Sequence, residues 1–89
     1  MSVALSHNYP LVGSLKAVNA SGDPIQGVEV RVYAEPAFSN QELDTWVGQT
    51  TTDLNGEWID PIIVDDGLTW VVHFEKPTEY GPVHVEVTT

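Results

Sequence analysis

The residues with types suited to chemistry are three histidines, a Ser–His pair and a stretch of acids. His73 and His84 fall on outward positions of two runs with strand periodicity. If those runs pair antiparallel, the two side chains become neighbours across a ladder, with Glu75 or Glu86 beside them. Zinc asks for about three or four convergent nitrogen, sulfur or oxygen ligands. Two histidines and a glutamate sit at the low edge of that, and histidines on a solvated face are far commoner than metal ligands. Asp53, Asn55, Glu57, Asp60, Asp65 and Asp66 share a short, loop-rich stretch. Calcium takes about six to eight oxygens, but the spacing of an EF-hand is missing, and turn chemistry alone accounts for Asp53-Leu54-Asn55-Gly56. Ser6 and His7 are adjacent but near the chain start, and no nucleophile-elbow, zincin or phosphate-loop pattern occurs. The chain has no cysteine, which removes thiolate catalysis, thiolate metal sites and disulfides. The expectation is a protein without a catalytic residue, metal or cofactor.

Aromatic side chains outside the core pattern, Tyr9, Tyr33, Phe38, Trp46 and Tyr80, are the remaining signal. Tyr9, Phe38, Trp46 and Tyr80 are candidate partner-binding residues, because aromatics on loops and outer faces concentrate in binding patches. Phe38 and Trp46 flank the longest connection and are suited to docking a partner or stacking on a sugar. The competing reading is local packing of that connection over a sheet edge.

The elements that must carry these residues read as strands. Val28, Val30 and Val32 alternate with Glu29, Arg31 and Tyr33. Trp70, Val72 and Phe74 alternate with Val71, His73 and Glu75, and Val83, Val85 and Val87 with His84, Glu86 and Thr88. Period-two alternation of β-branched and aromatic residues marks antiparallel strands with one buried face. Turns punctuate them at Asn19–Pro24, Asp53–Gly56, Asp65–Gly67 and Pro77–Pro82. The pattern predicts strands over Leu11–Val18, Gly27–Glu35, Thr45–Thr52, Glu57–Val64, Leu68–Lys76 and Val83–Thr88. A helical turn fits within Ala34–Asp44, with Ser39 or Asn40 as its cap and Glu42 in its first turn. The predicted core is Leu15, Val28, Val30, Val32, Trp58, Trp70, Val72, Phe74, Val83, Val85 and Val87. Residues 1–10 are expected as an N-terminal arm that orders on a neighbour, and 11–89 as one β-sandwich domain. Asn19-Ala20-Ser21 matches a glycosylation acceptor, but reads first as a polar turn.

Composition narrows the partners. With 13 acids against 3 Lys and Arg in 89 residues, the formal charge is −10. That excludes nucleic acid, whose phosphates need clustered cations, and disfavours an anionic membrane surface. No run approaches the roughly 20 apolar residues of a membrane span.

Several stretches carry a family likeness. Ser14–Tyr33 (SLKAVNASGDPIQGVEVRVY) holds a strand, a turn with Gly and Pro, then a Gly and alternating apolar residues. Thr51-Thr52-Asp53-Leu54-Asn55-Gly56-Glu57-Trp58 and Asp66-Gly67-Leu68-Thr69-Trp70-Val71-Val72 supply two further motifs. Together they resemble transthyretin-like and carboxypeptidase-regulatory-like sandwiches over residues 11–88. The resemblance implies an all-β fold, a single Ig-like, transthyretin-like Greek-key β-sandwich of about seven antiparallel strands. The 5-hydroxyisourate hydrolases of this fold use a first-strand His, an Arg after the second turn and a C-terminal Tyr-Arg-Gly-Ser. Here those places hold Lys16 and Ala17, Glu57 and Trp58, and Val87-Thr88-Thr89, so that activity is not expected. Nor is the Lys–Asn isopeptide bond of some adhesins: Lys16 lies one place from the expected register, and Val83–Thr88 has no Asn.

By analogy of fold and gene shape, the expectation is a non-enzymatic structural protein of a virion. A bacteriophage capsid decoration, neck or fibre component fits a short chain that opens on Met1 without an export signal. Its partners would be other virion proteins, repeated by symmetry, with no nucleic acid or membrane. Its location would be the virion, after synthesis in the host cytoplasm. The alternative is an extracellular binding or adhesion module of a secreted protein, with a carbohydrate or protein ligand.

Overall fold

The structure, a computed structural model, describes residues 1–89. Its six strands are β1 (Ser2–Leu5), β2 (Glu29–Ala34), β3 (Gly48–Thr51), β4 (Ile62–Asp65), β5 (Thr69–Lys76) and β6 (Tyr80–Thr88). A single helical turn and a half, α1 (Glu35–Ser39), follows β2 directly. No helix is long and apolar enough to cross a membrane.

All pairings are antiparallel: β1 with β4 in a small sheet, and β3-β2-β5-β6 in a larger one. After β2 and β3 the chain passes to β4 in the other sheet, and β5 returns to lie beside β2. That is a Greek-key path. The fold is the all-β sandwich expected from the period-two runs, with six strands in place of about seven.

The difference in count lies at the front of the chain. Residues 1–10 are not an arm: Ser2–Leu5 pair in register with Ile62–Asp65, and Leu5 is completely buried. The expected strand Leu11–Val18 is a series of turns, with Leu11 and Val12 exposed. Polar groups hold this stretch in its turn: Ser14 Oγ donates to Tyr9 O at 2.8 Å, and Gly13 N–H donates to Asn8 Oδ1 at 2.9 Å. Side-chain bonds of this kind compete with a sheet ladder. The chain still reaches the core beyond them, burying Leu15 and Ala17.

The core lies between the sheets. Val30, Val32, Trp70, Val72, Phe74 and Val87 come from the larger sheet, with Val28 just before β2, Leu5, Ile62 and Val64 come from the smaller, and Trp58 lies on the connection between β3 and β4. Each indole is anchored: Trp58 Nε1 donates to Leu15 O at 2.9 Å, and Trp70 Nε1 to Asp65 O at 3.0 Å. The Trp58 and Phe74 rings meet edge-on, with centroids 6.3 Å apart. Thr52, also buried, accepts the Val28 N–H at 2.9 Å and donates to Ile25 O at 2.8 Å. No buried side-chain polar atom is without a hydrogen-bond partner, as a stable interior requires.

Two of the predicted core residues are not in the core. Val83 and Val85 point to the same side as Phe74 and Val72, yet are 40% and 39% exposed. The smaller sheet is two strands wide and abuts the larger at β3, so β6 is left largely uncovered. The β3–β4 approach is close: a Cβ added at Gly48 would come 2.6 Å from Ile62 Cγ2. Gly56 is bound more tightly still. Its φ is +71°, and a Cβ there would meet the Ala17 carbonyl oxygen at 2.3 Å.

Candidate interaction face

The outer face of the four-stranded sheet gathers most of the residues with chemical potential. Register sets Gln49, Arg31, His73 and His84 in one row across β3, β2, β5 and β6. The sequence pattern allowed His73 and His84 to be ladder neighbours, and they are directly opposed. Above this row lies Phe38 of α1. Its ring centroid is 5.4 Å from Tyr33, 5.1 Å from His84 and 6.1 Å from His73.

Local sequence explains why Phe38 is there. Glu35-Pro36 opens the helix, with proline at a position that needs no N–H and an acid in the first turn. Ser39 Oγ donates back to Glu35 Oε1 at 2.6 Å. The helix therefore ends at Ser39 and Asn40, where the sequence pattern had it begin, because Pro36 starts it one turn earlier. The following loop is tied down by Tyr33, whose hydroxyl donates to Leu43 O at 2.9 Å. Tyr33 and Val71 point outward yet are buried, because α1 and this loop cover them.

Trp46 completes the face. The Arg31 guanidinium carbon sits 4.2 Å from the Trp46 ring centroid, a cation–π stack. Arg31 also pairs with Glu29 and, at 3.4 Å, bonds Gln49 Oε1. Phe38 and Trp46 are thus brought to one face, each half-buried. Packing of the loop over the sheet and partial exposure of two aromatic rings hold together. Tyr9 and Tyr80 do not join them: both are half-buried against the hydrophobic core.

The electrostatics of the face centre on His73. Burial pushes its pKa below the usual 6.5; Glu75 and Glu29 raise it, and the like charges of His84 and Arg31 lower it further. The imidazole is thus flanked by an aromatic ring, an arginine and two acids. No three His, Asp or Glu side chains converge as metal ligands.

The other candidates are taken up by the fold. His7 Nδ1 accepts the Trp58 N–H at 3.2 Å, and Nε2 lies 3.8 Å from Glu57 Oε2. Ser6 Oγ accepts the Asn8 N–H at 3.1 Å, so neither is set up as nucleophile or base for the other. Asp53 Oδ1 accepts the N–H groups of Asn55 and Glu57, closing its turn. Asn19 Oδ1 does the same for Ser21 and Asp23. Sequence reasoning missed Arg31 as a member of the face; it set Tyr33 among the surplus aromatics expected to be exposed, but Tyr33 is 1% exposed. Their alternation with Val30 and Val32 gave their direction; what covers them comes from a separate segment.

Comparison with known proteins adds no relative: no family model matches the chain, and neither a curated protein nor a solved structure matches it significantly.

Proposed function

We propose that this chain is a non-enzymatic structural component of a virion, of the kind that decorates a bacteriophage capsid or builds its neck or fibres. The same proposal places it among transthyretin-like sandwiches. The observation that carries the reading is the outer face of the four-stranded sheet. Its two half-buried aromatics are fixed by stacking and by a tethered loop, so they present little conformational entropy to lose on docking. Phe38 and Trp46 are the side chains expected to meet a neighbour, with Arg31 and Glu29 supplying polar register. Repetition by particle symmetry converts such a small face into firm attachment.

The test is sedimentation of the native protein from its source lysate, with mass spectrometry across the gradient. Co-migration with a fast-sedimenting particle at fixed stoichiometry is expected. Migration as a free species of about 10 kDa overturns the reading and favours the extracellular binding module, whose Arg31–Trp46 stack would then be screened against glycans. In the particle case, Phe38→Ala with Trp46→Ala is expected to abolish attachment, and retained attachment removes these residues from the interface.

A further inference from the structure

Two clefts meet at Trp70, at one end of the sandwich. One cleft of about 340 Å³ runs between Ala34–Pro36, at the start of α1, and Leu68–Trp70. A smaller one of about 180 Å³ shares Trp70 and is walled by Val47, Ile63 and Asp65. Leu68, Ile63 and Val47 are each more than half exposed. Single exposed aliphatics are ordinary; here Val47 and Ile63 rim one concave surface and Leu68 the other, and the two share the edge of the largely buried Trp70 indole. The bond from Trp70 Nε1 to Asp65 O fixes that indole, so both clefts are formed in the free chain.

Charge decides what fits. Glu35 lines the larger cleft and Asp65 the smaller, with Asp66 next in sequence. The cationic side chains are elsewhere. Arg31 is held by Glu29, Gln49 and Trp46; Lys76 is at the far end of β5, bonded to Glu79 and Gln26 O; Lys16 lies beside Gly13. The N-terminal amine, 3.8 Å from Asp66, is the one cation beside these acids. A second copy of a chain at −10 would bring more negative charge to this end, whereas a basic segment is drawn to it.

We propose that this end docks an extended basic segment of a partner protein, with one aliphatic side chain seated against Trp70 and lysine or arginine on either side facing Glu35 and Asp65. The cleft linings adjoin the Phe38–Trp46 face but share no residue with it, and the proposal stands whether or not the chain belongs to a particle.

The test is a titration of the ¹⁵N-labelled chain with the peptide Ac-Lys-Leu-Arg-NH₂ up to about 2 mM, the range of weak association. Saturable shifts are expected at the Trp70 indole N–H and the Leu68 and Thr69 amides, fading as salt is raised. Glu35→Gln with Asp65→Asn should weaken binding about fivefold, with retained spectral dispersion showing an intact fold. Ac-Glu-Leu-Glu-NH₂ should not bind. No saturable shift, or equal binding of the acidic peptide, overturns the proposal. So does concentration-dependent movement of the same resonances without peptide, which would assign the end to self-association. Because the titration uses the isolated chain, its failure leaves the sedimentation result untouched.

Discussion

Replacing Phe38 by alanine tests whether α1 keeps the outer sheet face dry over His73. Truncating a fully buried Phe costs about 3–5 kcal/mol. Phe38 is half-buried against Tyr33, His73 and His84, so the expected loss is roughly half of that, about 2 kcal/mol. At this chain length such a loss lowers Tm by roughly 10 °C. Phe38→Leu keeps most of the cover and should cost about 1 kcal/mol. The two variants separate further in their response to pH. Burial holds His73 below 6.5 in the folded protein, while the unfolded chain keeps the ordinary value. Between those two values the unfolded state binds more protons, so stability rises with pH through this window and is lost as pH falls from 6.5 toward the folded value. Alanine at 38 lets water back to the imidazole; its pKa should climb toward 6.5, and this part of the pH dependence should shrink. Leucine at 38 should leave it in place. The assay is NMR titration of the His73 ring protons, with urea unfolding on both sides of the window. An unchanged His73 titration in Phe38→Ala, or equal stability of the alanine and wild-type chains, would refute the covering role of α1.

Two further outcomes follow from the core. Leu5→Ala should cost about 3 kcal/mol by urea unfolding, as for any fully buried leucine; a loss under about 0.5 kcal/mol, typical of surface sites, would mean that the first residues are an arm after all. Thr52→Val strands the buried Val28 N–H and should cost about 2 kcal/mol, whereas Thr52→Ser keeps the hydroxyl and should cost only about 1 kcal/mol. The reverse order would show that the Thr52 methyl, and not its hydroxyl, matters.

The central strands were legible because alternation, β-branching and turn residues agree there. Val28–Tyr33 and Trp70–Glu75 read correctly, and Asn55-Gly56 and Asp65–Gly67 mark real turns. The opposed pair His73 and His84 followed from the same register logic. β1 was not legible: Ser-Val-Ala-Leu is too short to signal a strand, and only its partner, 57 to 63 residues away in sequence, makes it one. Conversely, Leu11 and Val12 look like strand residues but are exposed in a turn fixed by Asn8 and Ser14. Val83 and Val85 have the correct facing direction, but alternation gives direction and not coverage. The face itself was half legible. Phe38 and Trp46 stood out as surplus aromatics. That Trp46 would lie on Arg31 and Phe38 over two histidines depends on how α1 and its loop fold back, which no local pattern encodes.

The turn between β4 and β5 receives both ends of the chain. Asp66 N–H donates to Met1 O at 3.1 Å, while Thr89 N–H donates to Leu68 O at 2.9 Å and Thr89 Oγ1 to Asp65 O at 3.1 Å. A sandwich whose termini meet on one turn is topologically close to a ring. A short flexible linker would join Thr89 to Met1, and new ends opened at the exposed Leu54–Asn55 tip would give a circular permutant with every strand pairing retained. The same geometry lets the whole domain be carried as an insertion in a surface loop of another protein, entering and leaving at one point.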